Sequence, residues 1–395
     1  MMGGLLMAKR NANGSGSIRL RSDGRWEARY TAGRNPKTGK QVQKCIYGKT
    51  QNEVRQKLNA ITVSIDEGTY IEPSRMLAKE WFSIWIEQYV ANTVKASTLY
   101  SYTRICNKYI IPHIGALRLL VLTPHAIQMM LNALHKDAGN GSGLSPKSIK
   151  NVHGVLHKAL QQAVIVNYIR VNPADACTLP RIVKKDMATL DRSQISLFID
   201  AIKGHEFEPL FLFTLFTGVR QSEAIGLRWG CINFDAGKVS INAQLLKNYS
   251  NSTYYIDTPK SDKASYITPA SFVMDVLQKL KAQQNMQRQF AGLAWNDNDF
   301  VFTNALGEHL KHVTVYKHFK RIMSVIGLPG VRFHDLRHSY AVSALQAGDD
   351  VKTVQENLGH HTAAYTLDAY GHVTDEMKRE SAARMDAFIN GIHAS

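Results

Sequence analysis

The sequence predicts a mainly α chain with small antiparallel sheets, an α+β assembly of three domains. Three observations predict it. Apolar residues recur at helical spacing through 72–172 and again through much of the segment after 186. Apolar and polar residues alternate between turn words in the first fifty positions and again near 238–268. A length of 395 residues with 44% hydrophobic content is enough chain for two or three separate cores.

Residues 1–68 read as a three-stranded sheet packed on one helix. Trp26-Glu27-Ala28-Arg29-Tyr30 alternates, and Ser22-Asp23-Gly24 and Asn35-Pro36-Lys37-Thr38-Gly39 are turn words. Thr50-Gln51-Asn52-Glu53 is a capping box that opens a helix with Val54, Leu58, Ile61 and Ile65 along one side and Gly68 as its stop.

Residues 72–172 read as four or five helices. Leu77, Trp81, Ile84 and Trp85 recur at helical spacing and belong to a core. Ser97-Thr98 opens the next helix, which runs through Tyr102 and ends before Pro112; another starts at Thr123-Pro124. Asp137 to Gly143 is loop by composition. Ser145-Pro146 begins a long helix with Ile149, Val152, Leu156, Leu160 and Ala163 on its inner stripe. Residues 173–185, basic and proline-containing, are the expected linker.

From 186 to 395 the pattern is helical with one small antiparallel sheet. Lys238 to Ala243 alternates like a strand, and Tyr254-Tyr255-Ile256-Asp257 with Tyr266-Ile267-Thr268 reads as a further hairpin turning at Thr258-Pro259-Lys260-Ser261. Thr374 to Ser395 reads as a helix that offers Met377, Met385, Phe388 and Ile389 to an apolar face.

Charge narrows the class of partner. The formal net charge is +16, and residues 1–60 hold 13 Lys+Arg against 3 Asp+Glu, so +10 of it sits in a segment that carries folding signals. A polyanion, not a membrane, is what such a surface attracts. No run approaches eighteen apolar residues, and Met1 to Met7 puts its apolar residues before Lys9-Arg10, the reverse of a signal peptide. Cys45, Cys106, Cys177 and Cys231 are scattered without paired spacing, as expected of reduced thiols in a cytoplasm. The histidines of the last quarter have no metal-ligand spacing, so no metal and no cofactor is expected.

Three local words carry chemistry. In Thr217-Gly218-Val219-Arg220-Gln221-Ser222-Glu223 the glycine breaks a long apolar run, so Arg220 opens a new helix with Glu223 one turn on, placed to orient its guanidinium. In Phe333-His334-Asp335-Leu336-Arg337-His338, His334 and Arg337 share a helix face, and Asp335 lies in the first turn, where the dipole favours an acid. The third is Leu358-Gly359-His360, ten residues before Tyr370. Planar cations that clamp a phosphate, imidazoles beside them and a phenol nucleophile are the residue types for breaking a DNA phosphodiester without a metal. Exposed lysines are common, so chemistry alone leaves Lys260 and Lys263 both open. Tyr365 and Tyr370 are about 140° apart on a helix and cannot serve one phosphate together.

Arginine, lysine, His-x-x-Arg, Leu-Gly-His and tyrosine, in that order, resemble the tyrosine recombinases, within them the integrases of phages and conjugative transposons. The resemblance covers essentially the whole chain. It implies a catalytic set of Arg220, Lys260, His334, Arg337, His360 and Tyr370, with Lys260 preferred because a Thr-Pro-Lys-Thr word carries the family's lysine. It implies that residues 1–68 are an arm-binding domain that lays its sheet in the major groove, with Arg19, Arg21, Arg25, Arg29 and Lys44 on that face. Residues 72–172 resemble the family's core-binding domain at Ser97, Thr98, Tyr102, Pro112, Gly115, Asn172 and Pro173, which makes Lys95, Ser97, Thr98, Lys147 and Lys150 candidate DNA contacts. The family usually has acids where this chain has Cys231 and Asn233, a departure that concerns local capping. Implied partners are double-stranded DNA at core and arm sites, three further copies in a tetramer on two duplexes, and an accessory directionality factor, in a bacterial cytoplasm at the nucleoid.

Two other classes share parts of this pattern. A type IB topoisomerase uses similar chemistry but needs no amino-terminal arm binder. A DNA-binding repressor could carry the charge but has no need of all six residues.

Overall fold

The computed structural model describes residues 16–34, 38–67, 70, 75–136, 143–183, 188–249, 251–259, 264–359 and 362, with isolated positions between 379 and 392. The chain divides into two compact units, Met1–Val183 and Lys184–Ser395.

The first unit begins with an antiparallel sheet of β1 (Ser17–Leu20), β2 (Trp26–Arg34) and β3 (Gln41–Gly48), with β2 central. Helix α1 (Gln51–Asp66) covers one face, where Ala28, Tyr30, Val54 and Leu58 are buried with Ile46, Ile61 and Ile65 packed around them. Thr50 Oγ1 accepts the Glu53 N–H at 3.2 Å, one arm of the expected capping box. The Glu53 carboxylate instead accepts the N–H of Lys49, 2.9 Å away. The helix stops at Asp66; Gly68, its expected stop, lies outside the described residues.

The described residues from Ala78 to Ile165 are mainly helical. α2 (Ala78–Ile84) runs into a wide π turn, Trp85–Val90; α3 (Ala96–Ile105) runs through a second, Cys106–Ile110, into α4 (Ile111–Ile114); α5 (Pro124–His135) and α6 (Pro146–Ile165) complete it. Trp81 is fully buried and donates its indole N–H to Ala159 O at 2.9 Å, so Trp81→Ala would cost about 3–5 kcal/mol. The inner stripe of α6 is buried as its spacing predicts.

α3 differs from expectation at both ends. Lys95, not Ser97 or Thr98, holds the N-cap position, and the helical path continues through Pro112. The π turn makes this possible, because a new helical segment starts at Ile111 and Pro112 falls in its first turn, where its missing N–H is tolerated. The Asp137–Gly143 loop is outside the described residues except for Gly143.

The start of the expected linker is tied to the bundle. Asn172 Nδ2 donates to His157 O and Gln161 Oε1, the Ala174 carbonyl meets His153 Nε2 at 2.9 Å, and the Gln128 amide exchanges two hydrogen bonds with the Thr178 backbone. A strap with so many partners behaves as part of the helical layer.

The second unit contains α7 (Arg192–Ile202), α8 (Glu208–Thr217), α9 (Gln221–Ile225), strands β4 (Ile232–Asn233), β5 (Lys238–Ile241), β6 (Gln244–Lys247), β7 (Tyr254–Asp257) and β8 (Ser265–Ile267), then α10 (Ser271–Ala291), α11 (His312–Val325), α12 (Asp335–Gln346) and α13 (Val351–Leu358). α8 is apolar on all sides and sits in the centre of the core.

Among the described residues two small sheets replace the single one expected. β7 pairs with β6, and β8 pairs with β5 in a sheet ordered β4-β5-β8, so the strands expected to form a hairpin with each other lie in different sheets. The cause is the turn between Asn248 and Thr253, whose backbone hydrogen bond of 2.8 Å folds β7 back on the strand just before it. Asn233 Oδ1 accepts the Ala236 N–H at 2.9 Å, which keeps a turn cap where the family carries acids. Among the described residues of 379–392 all are helical, with Met385 and Ile389 exposed.

Candidate active site

The described part of the site is made where α8 ends, α12 begins and α13 ends. Gly218 closes α8 in the left-handed conformation, φ 65°, which turns the chain so that Arg220 becomes the N-cap of α9. The buried Glu223 carboxylate accepts the Arg220 backbone N–H at 3.1 Å through one oxygen and Nη1 of its guanidinium at 2.8 Å through the other. The i,i+3 spacing thus fixes both the helix start and the direction of the cation.

Arg337 is nearly fully buried on α12. Its Nη1 donates to Gly218 O at 2.8 Å and its Nη2 to Leu358 O, the carbonyl at the end of α13. One guanidinium therefore locks together the loop that carries Arg220 and the end of α13. Asp335, fully buried, accepts the Arg332 backbone N–H and guanidinium, and Ser339 Oγ accepts the Leu190 N–H, so the helix that carries Arg337 is tied at both sides.

His334, the residue before α12, is exposed, with the ring of His338 edge-on at 4.9 Å. Partial burial of its ring, then the neighbouring His338 and the guanidinium charges of Arg337 and Arg220, push it down to about 4. It is held neutral at physiological pH, with one ring nitrogen a donor and the other an acceptor.

Lys260, His360 and Tyr370 lie outside the described residues, as do Lys263, Tyr365, His361 and His372. The path to Lys260 is described as far as Pro259. The nearly buried Gln244 accepts Ser222 Oγ from α9 at 3.5 Å and donates to Thr258 O at 2.7 Å, joining the helix of Arg220 to the strand end two residues before Lys260. Sequence reading missed Gln244, and nothing in its local word announces it.

The candidate DNA contacts fall in two places. Arg19, Arg21, Arg25 and Arg29 gather about Glu27 and Tyr47 at the sheet face opposite α1. Lys44 does not join them: it pairs with Tyr30 and so lies on the α1 side. Val42 and Ile46, in phase with it along β3, carried that signal. Lys147 and Lys150 are exposed near the N-terminus of α6, Ser97 is exposed, and Lys95 and Thr98 are half-buried at the start of α3.

Among the described residues one group approaches metal-ligand geometry, His205, Glu206 and His318. His205 Nδ1 accepts the Phe207 N–H at 2.9 Å, so its Nε2 keeps a proton and donates to His318 Nδ1 at 3.2 Å. His318 Nδ1 also lies 3.5 Å from Glu206 Oε1. No helix among the described residues is long and apolar enough to cross a membrane.

Paired arginines, one held by a buried acid and the other by two backbone carbonyls, with a neutral imidazole beside them, form one cationic cluster. Residues 188–377 match the phage integrase family and residues 79–135 match the phage integrase N-terminal SAM-like domain. The chain belongs to that family: it is a tyrosine recombinase, an enzyme that breaks and rejoins DNA without metal or ATP in site-specific recombination. A XerC-like tyrosine recombinase of Caldanaerobacter subterraneus subsp. tengcongensis is 27% identical over 381 residues, 91% of this chain and 95% of that protein. The ICEBs1 integrase of Bacillus subtilis is 24% identical over 253 residues, 63% of this chain and 67% of that protein. The Tn1549 transposon integrase, solved in complex with a circular intermediate DNA, superposes with a TM-score of 0.66 at 21% identity, over 78% of this chain and 99% of that one.

Proposed function

We propose that this recombinase cuts each strand with Tyr370 and serves to integrate and excise a conjugative transposon. In this reading Arg220 and Arg337 hold the non-bridging oxygens of the scissile phosphate, and His334 and His360 add hydrogen bonds as charge gathers in the pentacoordinate transition state. The Tyr370 oxygen attacks in line, the bond from phosphorus to the 5′-oxygen breaks, and Lys260 gives that oxygen a proton. The 3′-phosphotyrosyl bond keeps the energy of the broken link. A 5′-hydroxyl from a second duplex then displaces the tyrosine and completes the exchange.

The observation that carries this reading is the Arg337 guanidinium bridging Gly218 O and Leu358 O, which fastens the word of Arg220 to the word that precedes His360 and Tyr370. The arginines around Glu27 supply the arm contact in the major groove, and Lys95, Ser97, Thr98, Lys147 and Lys150 the core contacts. Four copies would act on two duplexes, the tail helix of each docking on a neighbour, with an accessory factor setting direction, in the cytoplasm at the nucleoid. Support for the assembly comes from the lambda integrase, solved as a tetramer bound to a Holliday junction and superposing with a TM-score of 0.53 at 17% identity.

A nicked suicide duplex tests the chemistry. Incubated with the wild-type chain and run on a denaturing gel, it should leave a covalent protein–DNA band. Tyr370→Phe should bind the duplex and leave none; a surviving band would move the nucleophile elsewhere.

A further inference from the structure

The open face of the N-terminal sheet carries a carboxylate where a DNA-binding surface has least use for one. Register places Arg19, Glu27 and Tyr47 in one row across β1, β2 and β3, and Ser17, Arg29 and Cys45 in the next. Glu27 is 1% exposed although α1 packs on the other face. What buries it is a roof of arginines. Its Oε1 accepts from Arg29 Nε at 2.9 Å and from the Cys45 thiol at 3.2 Å; its Oε2 accepts from Arg19 Nη2 at 3.1 Å and from Arg21 Nη1 at 3.4 Å. The Arg29 side chain stays 47% exposed and that of Arg19 57%. Arg21 and Arg25 lie over the Tyr47 ring, 5.4 and 5.9 Å from its centre.

A long flexible guanidinium in water must be frozen before it can read a base edge, and freezing it opposes binding. Here the freezing is done before DNA arrives. Arg29 is held through Nε, which leaves the forked end of its guanidinium for a partner, the geometry that matches the O6 and N7 of guanine. Hydrogen bonds from Arg29, Cys45 and Arg19 hold the Glu27 carboxyl down at about 2, so it is ionised under all working conditions.

We propose that Glu27 is a positioning residue for sequence reading: its carboxylate fixes Arg29, with Arg19 held on its other oxygen, in the orientation that recognises a guanine in a duplex, lowering general affinity for DNA in exchange for selectivity. This rests on the reading that the sheet face enters the major groove.

The full chain is used to select duplexes from a random-sequence pool, and those whose affinity falls on Arg29→Ala report on this face. Affinity for them is then compared with affinity for scrambled duplexes. Glu27→Gln should bind scrambled DNA a few-fold more tightly, since one negative charge is gone, while the ratio of selected to scrambled affinity drops about tenfold or more. Glu27→Asp keeps the charge but withdraws the carboxylate by one methylene, so it should lose the ratio without gaining scrambled affinity; it also decides the matter if the glutamine variant fails to fold. A ratio kept within about twofold of wild type in a folded variant, while Arg29→Ala still destroys it, overturns the role of Glu27 alone. If no selected duplex responds to Arg29→Ala or Arg19→Ala, the groove-binding reading of the sheet goes, and this proposal with it.

Discussion

Arg337 donates through Nη1 to the carbonyl of Gly218 at 2.8 Å, 119 positions back along the chain and two residues before Arg220. The same guanidinium holds Leu358 O. A lysine at this position keeps the charge but has one nitrogen and no planar fork, so it cannot span both carbonyls and still face a phosphate. Arg337→Lys should therefore slow covalent adduct formation about 100-fold or more. It should also lower thermal stability, because a buried carbonyl left without a donor costs about 1–3 kcal/mol. Adduct formation at close to the wild-type rate on the suicide duplex would contradict the bridging role.

Gly218 is needed for two reasons that act together. Its φ of 65° is strained for other residues, and a Cβ there would lie 2.5 Å from Tyr340 Cδ1 and 2.6 Å from Leu358 Cδ2. Gly218→Ala combines backbone strain with overpacking against α12 and α13, for a loss of about 2–4 kcal/mol. The denaturant midpoint of the variant should fall accordingly, and cleavage should fall with it because the loop also carries Arg220. An unchanged midpoint would mean that α12 and α13 yield more easily than their packing implies.

Lys260 is assigned the proton of the departing 5′-oxygen, and Gln244 ties the strand end before it to α9. Lys260→Ala should slow cleavage of an ordinary phosphodiester by about 100-fold. With a 5′-bridging sulfur the leaving group needs no proton, so the variant should regain most of its rate. Equal losses on both substrates would remove the acid role and leave Lys260 a phosphate contact.

Local sequence was enough at several places where the partner was three or four residues away, though not at Glu53, which accepts from Lys49, nor at the N-cap of α3. Arg220 with Glu223, His334 with Arg337, the cap at Thr50 and the stripe of α6 are all readable because helix geometry fixes which neighbours meet. It failed where the partner was distant. Nothing near Gln244 says that it will join Ser222 to Thr258, and nothing near Asn172 says that the expected linker will be strapped to α6. β7 pairs with β6 and not with β8, and Gln244-Leu245-Leu246-Lys247 lacks the β-branched and aromatic residues that mark a strand, so local sequence does not announce the partner that captures β7. Lys44 departs for another reason: the phase it shares with Val42 and Ile46 puts it on the α1 side, away from the arginines.

Acid should weaken the second unit before it touches the carboxylates. His334 and His312 are both pushed down to about 4, each chiefly by burial, and His205 and His338 are lowered in the same direction for the same first reason. An unfolded histidine titrates near 6.5, so between about pH 6.5 and 4 the unfolded chain binds protons that the folded chain refuses. Stability is therefore full above pH 6.5 and falls as the pH drops through that window. The slope has a ceiling of about 1.4 kcal/mol per pH unit for each histidine, and less for His334, whose exposure lets solvent screen it. Carboxylates with lowered values, such as Asp191 and Asp350, lose their contribution only below the ordinary carboxylate range, so the two effects separate. Unfolding midpoints at pH 7, 6 and 5 should fall in sequence, and His312→Asn should flatten the decline without touching His334. A midpoint that stays level from pH 7 to 5 would show that these imidazoles already accept protons in the folded protein, and with it would go the picture of a neutral His334 beside the two arginines.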